Sequence, residues 1–291
     1  MKCVFKYCKH IDLIFHVLNH MRVMNPSDLY SQKYIRKIQE QKREGDINLL
    51  DEVQSLEDYY NNNYERLSII NFLPFYTNTL EELIEMLKKH NFQDSDFRYF
   101  IVPMIELLER ESVFYFDYWE EQYRELQNKR RDVEAQIEKM LENYKSIFEY
   151  YKKTPIIYLS LSISSNGRGF FKNENELYAA VPFPENPKDL SSTFIIILHE
   201  FTHQITDRLL QTEIRMDDDS HDLTEKMVIL FDYYIIKEIE PNLLDAYFQW
   251  FLTYITTTDD TLSEVEFLEL LSIPDSIRQQ LLNLRDRLIT R

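Results

Sequence analysis

Within the apolar stretch from Phe194 to Leu209 stand two histidines and a glutamate, in the pentapeptide His199-Glu200-Phe201-Thr202-His203. Ser191-Ser192-Thr193 offers N-cap side chains, Phe194 to Leu198 is a continuous apolar run, and Ile205 and Leu209 extend the same face. This pattern predicts a buried helix from about Ser192 to Leu210. Residues four apart lie one turn above each other, so His199 and His203 present two imidazoles to one point while Glu200 projects beside them. Ordinary core hydrogen bonds would be the plainer account of these side chains. Two His and a Glu on one apolar helix nevertheless cost desolvation unless something binds them, and H-E-x-x-H is the spacing at which a helix offers two ligands to zinc and a carboxylate to a water.

A zinc that does chemistry takes three protein ligands and keeps a fourth position open. Downstream, Met216 to Asp222 is polar and rich in Asp, and Leu223 to Ile236 has the pattern of a second helix. Glu225 and Asp232 are seven apart on it, hence on one face, which Ile229 and Ile236 share. An acid on a largely apolar face needs a partner. Asp207, one turn beyond His203, and His221, at the start of the second helix, are further candidate ligands, and Asp207 could instead hold a ligating imidazole from behind. An oxyanion formed at such a site needs a donor besides the metal, for which His221, Tyr233, Tyr234 and Tyr178 are candidates.

From about Ile156 to Glu238 the chain resembles the gluzincin group of zinc metallopeptidases, the thermolysin type, with a fainter similarity to bacterial members outside that stretch. In that group the third ligand is a Glu on a helix about twenty residues after the second His, and Glu225 lies 22 positions beyond His203. The resemblance implies a zincin-like core, Zn2+ as cofactor, His199, His203 and Glu225 as ligands, and Glu200 as general base. His221 and Tyr233 become the favoured donors to the reacting carbonyl. One position departs from the pattern: many members carry an Asp four residues after the ligand Glu, where this chain has Ile229. The metzincin extension is absent, since its Gly and His positions are held by Thr206 and Leu209.

Upstream the periodicity changes. Ile156 to Ser164 is β-branched and alternating, Ser165-Asn166-Gly167 signals a turn, and Glu176 to Pro182 reads as a second strand broken by Pro182 and Pro184. Two strands before the metal helix form either a supporting hairpin or, as the resemblance implies, a small sheet whose edge pairs with a peptide substrate.

With 44% hydrophobic residues, 20 Tyr, 19 Phe and only three Gly, the chain can bury a large core. No run of about 18 apolar residues spans a membrane. The formal charge of −17 argues against nucleic-acid partners, which need basic patches. Charged residues within the first ten positions and the absence of a small-residue cleavage site argue against a signal peptide, and two cysteines, Cys3 and Cys8, make no disulfide framework. Both features lead us to expect a cytoplasmic protein.

The rest reads as helix: Ile11 to Met21, Ser27 to Gln41, Leu49 to Ile70, Leu80 to His90, one long helix near 111–153, and three helices after Asn242. His16 and His20 repeat the two-His spacing, but no Glu follows His16 and a core role is expected. The expected fold is α+β and predominantly helical, with an N-terminal helical part over residues 1–153 and a catalytic part over 154–291 holding a small sheet beside the metal helix. The expected function is hydrolysis of peptide bonds in a peptide or protein substrate. The alternatives are a zinc hydrolase of a non-peptide amide and a non-enzymatic helical interaction protein.

Overall fold

The computed structural model describes residues 3–23, 31–164, 166–213, 220–255 and 261–289. It is α+β and mostly helical, with one small sheet. In chain order the elements begin with β1 (Val4–Lys6), α1 (Lys9–Leu18), α2 (Gln32–Gln39), α3 (Leu49–Asn62), α4 (Tyr64–Leu67), α5 (Leu80–Lys89), α6 (Asp94–Asp96) and α7 (Val102–Glu125). There follow α8 (Gln127–Asn143), α9 (Lys145–Tyr151), β2 (Thr154–Ser160), β3 (Arg168–Phe170), β4 (Glu176–Pro182), α10 (Asp189–Glu213) and α11 (Ser220–Ile239). The chain ends with α12 (Leu244–Tyr254), α13 (Glu264–Leu270) and α14 (Asp275–Ile289).

Two compact units divide these elements. The first consists of Met1–Lys6, Arg131–Tyr158 and Gly169–Arg291; the second consists of Tyr7–Arg130 and Leu159–Arg168. Backbone pairing draws β1 to β2 in parallel, Val4 opposite Ile156 and Lys6 opposite Tyr158, and so carries the N-terminus into the first unit. The expected single helix over 111–153 is three helices. Leu126 (φ −82°, ψ 5°) and Tyr144 (φ −99°, ψ 11°) leave helical geometry.

In the first unit the sheet order is β1-β2-β4-β3, and α10 packs against β4. Leu177 to Val181 are all buried in β4, and Phe194, Ile195 and Ile197 are buried on α10, so strand and helix share one apolar layer. Helix α11 lies along α10, and α12 contacts both. Asp189 accepts hydrogen bonds from the Asn186 backbone N–H at 2.9 Å and the Asn186 amide at 3.1 Å, which starts α10 one turn earlier than the serines imply. Among the described residues no helix is long and apolar enough to cross a membrane.

The second unit is built on α1, whose residues 10–18 are all buried. Such a helix must satisfy its polar groups internally. His16 Nε2 meets Glu111 at 2.8 Å, the Lys42 ammonium reaches the other Glu111 oxygen at 2.9 Å, and His16 Nδ1 meets the Tyr34 hydroxyl at 2.9 Å. Burial, with Lys42 nearby, holds the His16 pKa well below its ordinary value, so the neutral ring donates to Glu111 and accepts from Tyr34. Tyr34 in turn meets the Ser162 hydroxyl at 3.0 Å, and Tyr115 closes the chain on Ser162. His16 and His20 thus have the core role their sequence context implied.

Asp12 ties α1 to two distant segments. Its carboxylate accepts from Trp119 Nε1–H at 2.6 Å, from the Leu161 backbone N–H at 3.1 Å and from the Ser160 hydroxyl. Ser160 Oγ already accepts from the N–H groups of Ser162, at 3.1 Å, and Ile163, at 2.9 Å, so its one proton is committed to Asp12. An amide at residue 12 would turn its N–H groups either on that proton or on the Trp119 and Leu161 N–H donors. Asp12→Asn is expected to destabilise the protein by about 1–3 kcal/mol, the cost of a buried unsatisfied polar group. Urea denaturation checks this, and an unchanged midpoint would show that the carboxylate is not needed there.

Candidate metal centre

Helix α10 places His199 and His203 one turn apart with their rings edge to face, centroids 4.7 Å apart, and their Nε2 atoms separated by 3.2 Å. Across from them α11 supplies Glu225, with one carboxylate oxygen 3.3 Å from His203 Nε2 and the other 3.7 Å from His199 Nε2. Donors bonded to one tetrahedral zinc at about 2.0–2.1 Å stand about 3.3 Å from each other. The three separations fit that figure closely enough that small side-chain shifts complete the set. Among the described residues this is the one cluster of three or more such donors near enough to share a metal ion.

Behind His199, Nδ1 lies 3.0 Å from Asp232 on α11, two turns beyond Glu225. A carboxylate there takes the Nδ1 proton and leaves the Nε2 lone pair facing the other donors, as expected of a metal-ligating histidine. Asp232 therefore lies on the far side of the ring from the donor cluster and is placed to orient a ligand. It also fills the role left open by Ile229, from one turn further along the same helix face. Burial raises the Asp232 pKa, while His199 and then the Thr202 hydroxyl hold it down. For His199 burial disfavours the charged ring, but Asp232 and Glu225 outweigh it and the pKa is pushed up to about 10. The two carboxylates thus make this a strongly cation-favouring spot, for which a proton and a metal ion compete.

Access is uneven. His199 and Asp232 are almost fully enclosed, with side-chain exposures of 6% and 1%, whereas His203 and Glu225 are 21% and 19% exposed. The Trp250 ring of α12 covers His199 with centroids 5.0 Å apart. The cluster is closed behind His199 and partly exposed on the side of His203 and Glu225. Glu200 is buried on the neighbouring helical position, its carboxylate against the backbone of Gly169 in β3.

The three candidate tyrosines have other partners. The Tyr233 hydroxyl bonds Glu264 and the Lys237 ammonium, the latter at 2.9 Å. Tyr178 bonds Glu176 and, at 3.0 Å, the Asn173 amide, with its pKa pushed up to about 12 by burial and the Glu176 carboxylate. Tyr234 lies beneath the Arg285 guanidinium, 5.9 Å from its ring centroid. The side chains of His221 and Asp207 lie outside the described residues. Trp250 and Gly169 were not read from the sequence; the scarcity of glycine, three in 291 residues, was the available signal for the second.

Comparisons with protein-family models, with curated proteins and with solved structures find no match to this chain.

The geometry separates the two acids of α11. Glu225→Ala, which removes a donor, is expected to weaken zinc binding by more than 100-fold, and Asp232→Asn by about 10–100-fold, the range typical of groups that orient a ligating histidine. Competition titration with a fluorescent zinc chelator measures both. Equal affinity in Glu225→Ala and the parent protein would remove Glu225 from the ligand set.

Proposed function

We propose that this protein is a zinc-dependent metallopeptidase whose centre is formed by His199, His203 and Glu225, with Glu200 as general base. The observation that carries the reading is the convergence of the two Nε2 atoms, 3.2 Å apart, on the two carboxylate oxygens of Glu225, one 3.3 Å from His203 and the other 3.7 Å from His199, beside which a buried glutamate occupies the next helical position. Three protein donors among the described residues favour a catalytic over a structural site, since such a set leaves the fourth position for water or substrate. Zinc bound there would lower the pKa of a water towards neutrality and polarise the scissile carbonyl.

The chain's own groups then divide the work. Glu200 accepts the proton of the attacking water as the new C–O bond forms and passes it to the amide nitrogen as the C–N bond breaks, giving a carboxylic acid and an amine. Asp232 holds the His199 ring in one tautomer and orientation throughout. Trp250 and the apolar body of α10 keep water from the back of the site, which strengthens the charge interactions at its front. An extended peptide is the substrate class that suits the sheet, because β3 is an edge strand lying against Glu200 and a strand edge offers backbone donors and acceptors to any extended chain. A cytoplasmic setting accords with two free cysteines, of which Cys3 is buried and has its thiol pKa pushed up to about 12 by burial and Glu138.

Protein purified without chelators is expected to carry about one zinc per chain and to cleave members of an unbiased peptide library. Glu200→Gln should retain the zinc and lose hydrolysis by about 100- to 10,000-fold, the range for removal of a general base. Mass-spectrometric product mapping and elemental analysis on the same samples supply both readouts. Turnover unchanged by Glu200→Gln would refute the assignment of the base, and one bound zinc with no cleavage of peptides would favour a different substrate or a binding protein.

A further inference from the structure

Gly169 has an ordinary backbone conformation, so its lack of a side chain is required by space and not by φ. A Cβ atom added there would lie 2.7 Å from Glu200 Oε2, 3.1 Å from the Glu200 carbonyl oxygen and 3.5 Å from Glu200 Cβ. All three nearest atoms belong to one residue. The carboxylate of Glu200 therefore rests in the gap left by the missing side chain, flat against strand β3. The same helix is fixed to the neighbouring strand by Gln204, whose amide donates to the Tyr178 carbonyl of β4 at 3.0 Å. The helix is thus held to the sheet, and the most yielding group at the contact with Gly169 is the Glu200 side chain.

We propose that Gly169 is a positioning residue for the general base, setting where the Glu200 carboxylate stands relative to the three zinc ligands. This rests on the metallopeptidase reading above. An alanine at 169 would fold, because its closest contact is the free end of a flexible side chain and the contact to the carbonyl oxygen needs only a few tenths of an ångström of adjustment. The carboxylate, however, has to swing out of its place. His199, His203 and Glu225 make no contact with residue 169 among its nearest atoms, so the zinc site is unaffected.

The test is a cycle of four proteins: the parent, Gly169→Ala, Glu200→Asp, and the double variant. Gly169→Ala is expected to bind one zinc with parental affinity and to lose kcat by about 10- to 100-fold with KM within about twofold, the pattern of a catalytic group displaced by about 1 Å. Crystal structures of the parent and Gly169→Ala should show the Glu200 carboxylate moved and the two imidazoles in place. Since aspartate is shorter by one methylene and withdraws from the added Cβ, Glu200→Asp should cost several-fold less in the Gly169→Ala background than in the parent. If Gly169→Ala alone failed to fold, recovery of the fold in the double variant would still establish the contact. Additive effects in the cycle, an unmoved carboxylate with parental kcat, or a rise in KM with kcat unchanged would each overturn the proposal. A parent protein that binds zinc and cleaves no peptide would instead overturn the reading on which it rests.

Discussion

Two imidazole nitrogens held 3.2 Å apart, each with a lone pair to offer, repel each other unless a positive charge stands between them. The fold builds up this demand. Asp232 occupies the outer nitrogen of His199, Glu225 brings a second negative charge to the inner side, and the apolar packing of α10 against β4 and α11 removes the water that would otherwise screen them. In such surroundings a carboxylate without a counter-charge is costly, so a cation at the centre of the cluster relieves several unfavourable terms together. Packing and charge are therefore not separate features of this unit: the better the two helices bury their apolar faces, the more strongly the site calls for a metal ion or a proton.

The sequence made helix α10 and its pair of histidines legible because both requirements are local. The i, i+4 spacing of His199 and His203 and the run of apolar residues around them belong to one stretch of chain, as do Glu225 and the second helix. The role of Asp232 was less legible because a carboxylate two turns from Glu225 and one on the opposite side of the imidazole look alike in a helical pattern; only the direction in which His199 Nδ1 points distinguishes them. Strands β1 and β3 were not legible at all. Each has three residues, and β1 is formed by pairing with Ile156 to Tyr158, about 150 positions away, so the reason for its conformation is not in its own neighbourhood. The breaks at Leu126 and Tyr144 escaped for a different reason: hydrophobic periodicity reports which side faces inward, and apolar residues recur at helical spacing on either side of both.

The second unit meets the problem of buried polarity without any metal. Its hydrogen bonds have a fixed direction, from Tyr115 through Ser162 and Tyr34 to His16, and from His16 to a glutamate neutralised by Lys42. In the same chain the pair His199 and His203 faces two carboxylates, Glu225 and Asp232. An identical spacing of histidines thus stands in a hydroxyl-lined core in one place and between carboxylates in the other. The difference lies in what the neighbouring elements supply.

The way the two units share the chain bears on the order in which it can fold as it is made. The second unit needs Ser160 and Ser162 to satisfy Asp12, Tyr34 and Tyr115, so its core stays incomplete until more than 160 residues have left the ribosome. The residues of β1 wait equally long for β2 and longer still for the helices of their own unit. Domain-by-domain folding from the N-terminus, the usual course for longer chains, is closed to this one. Its early helices emerge with their polar groups unpaired, and the segment that resolves them is the connection between β2 and β3, which leads directly to the glycine beneath Glu200.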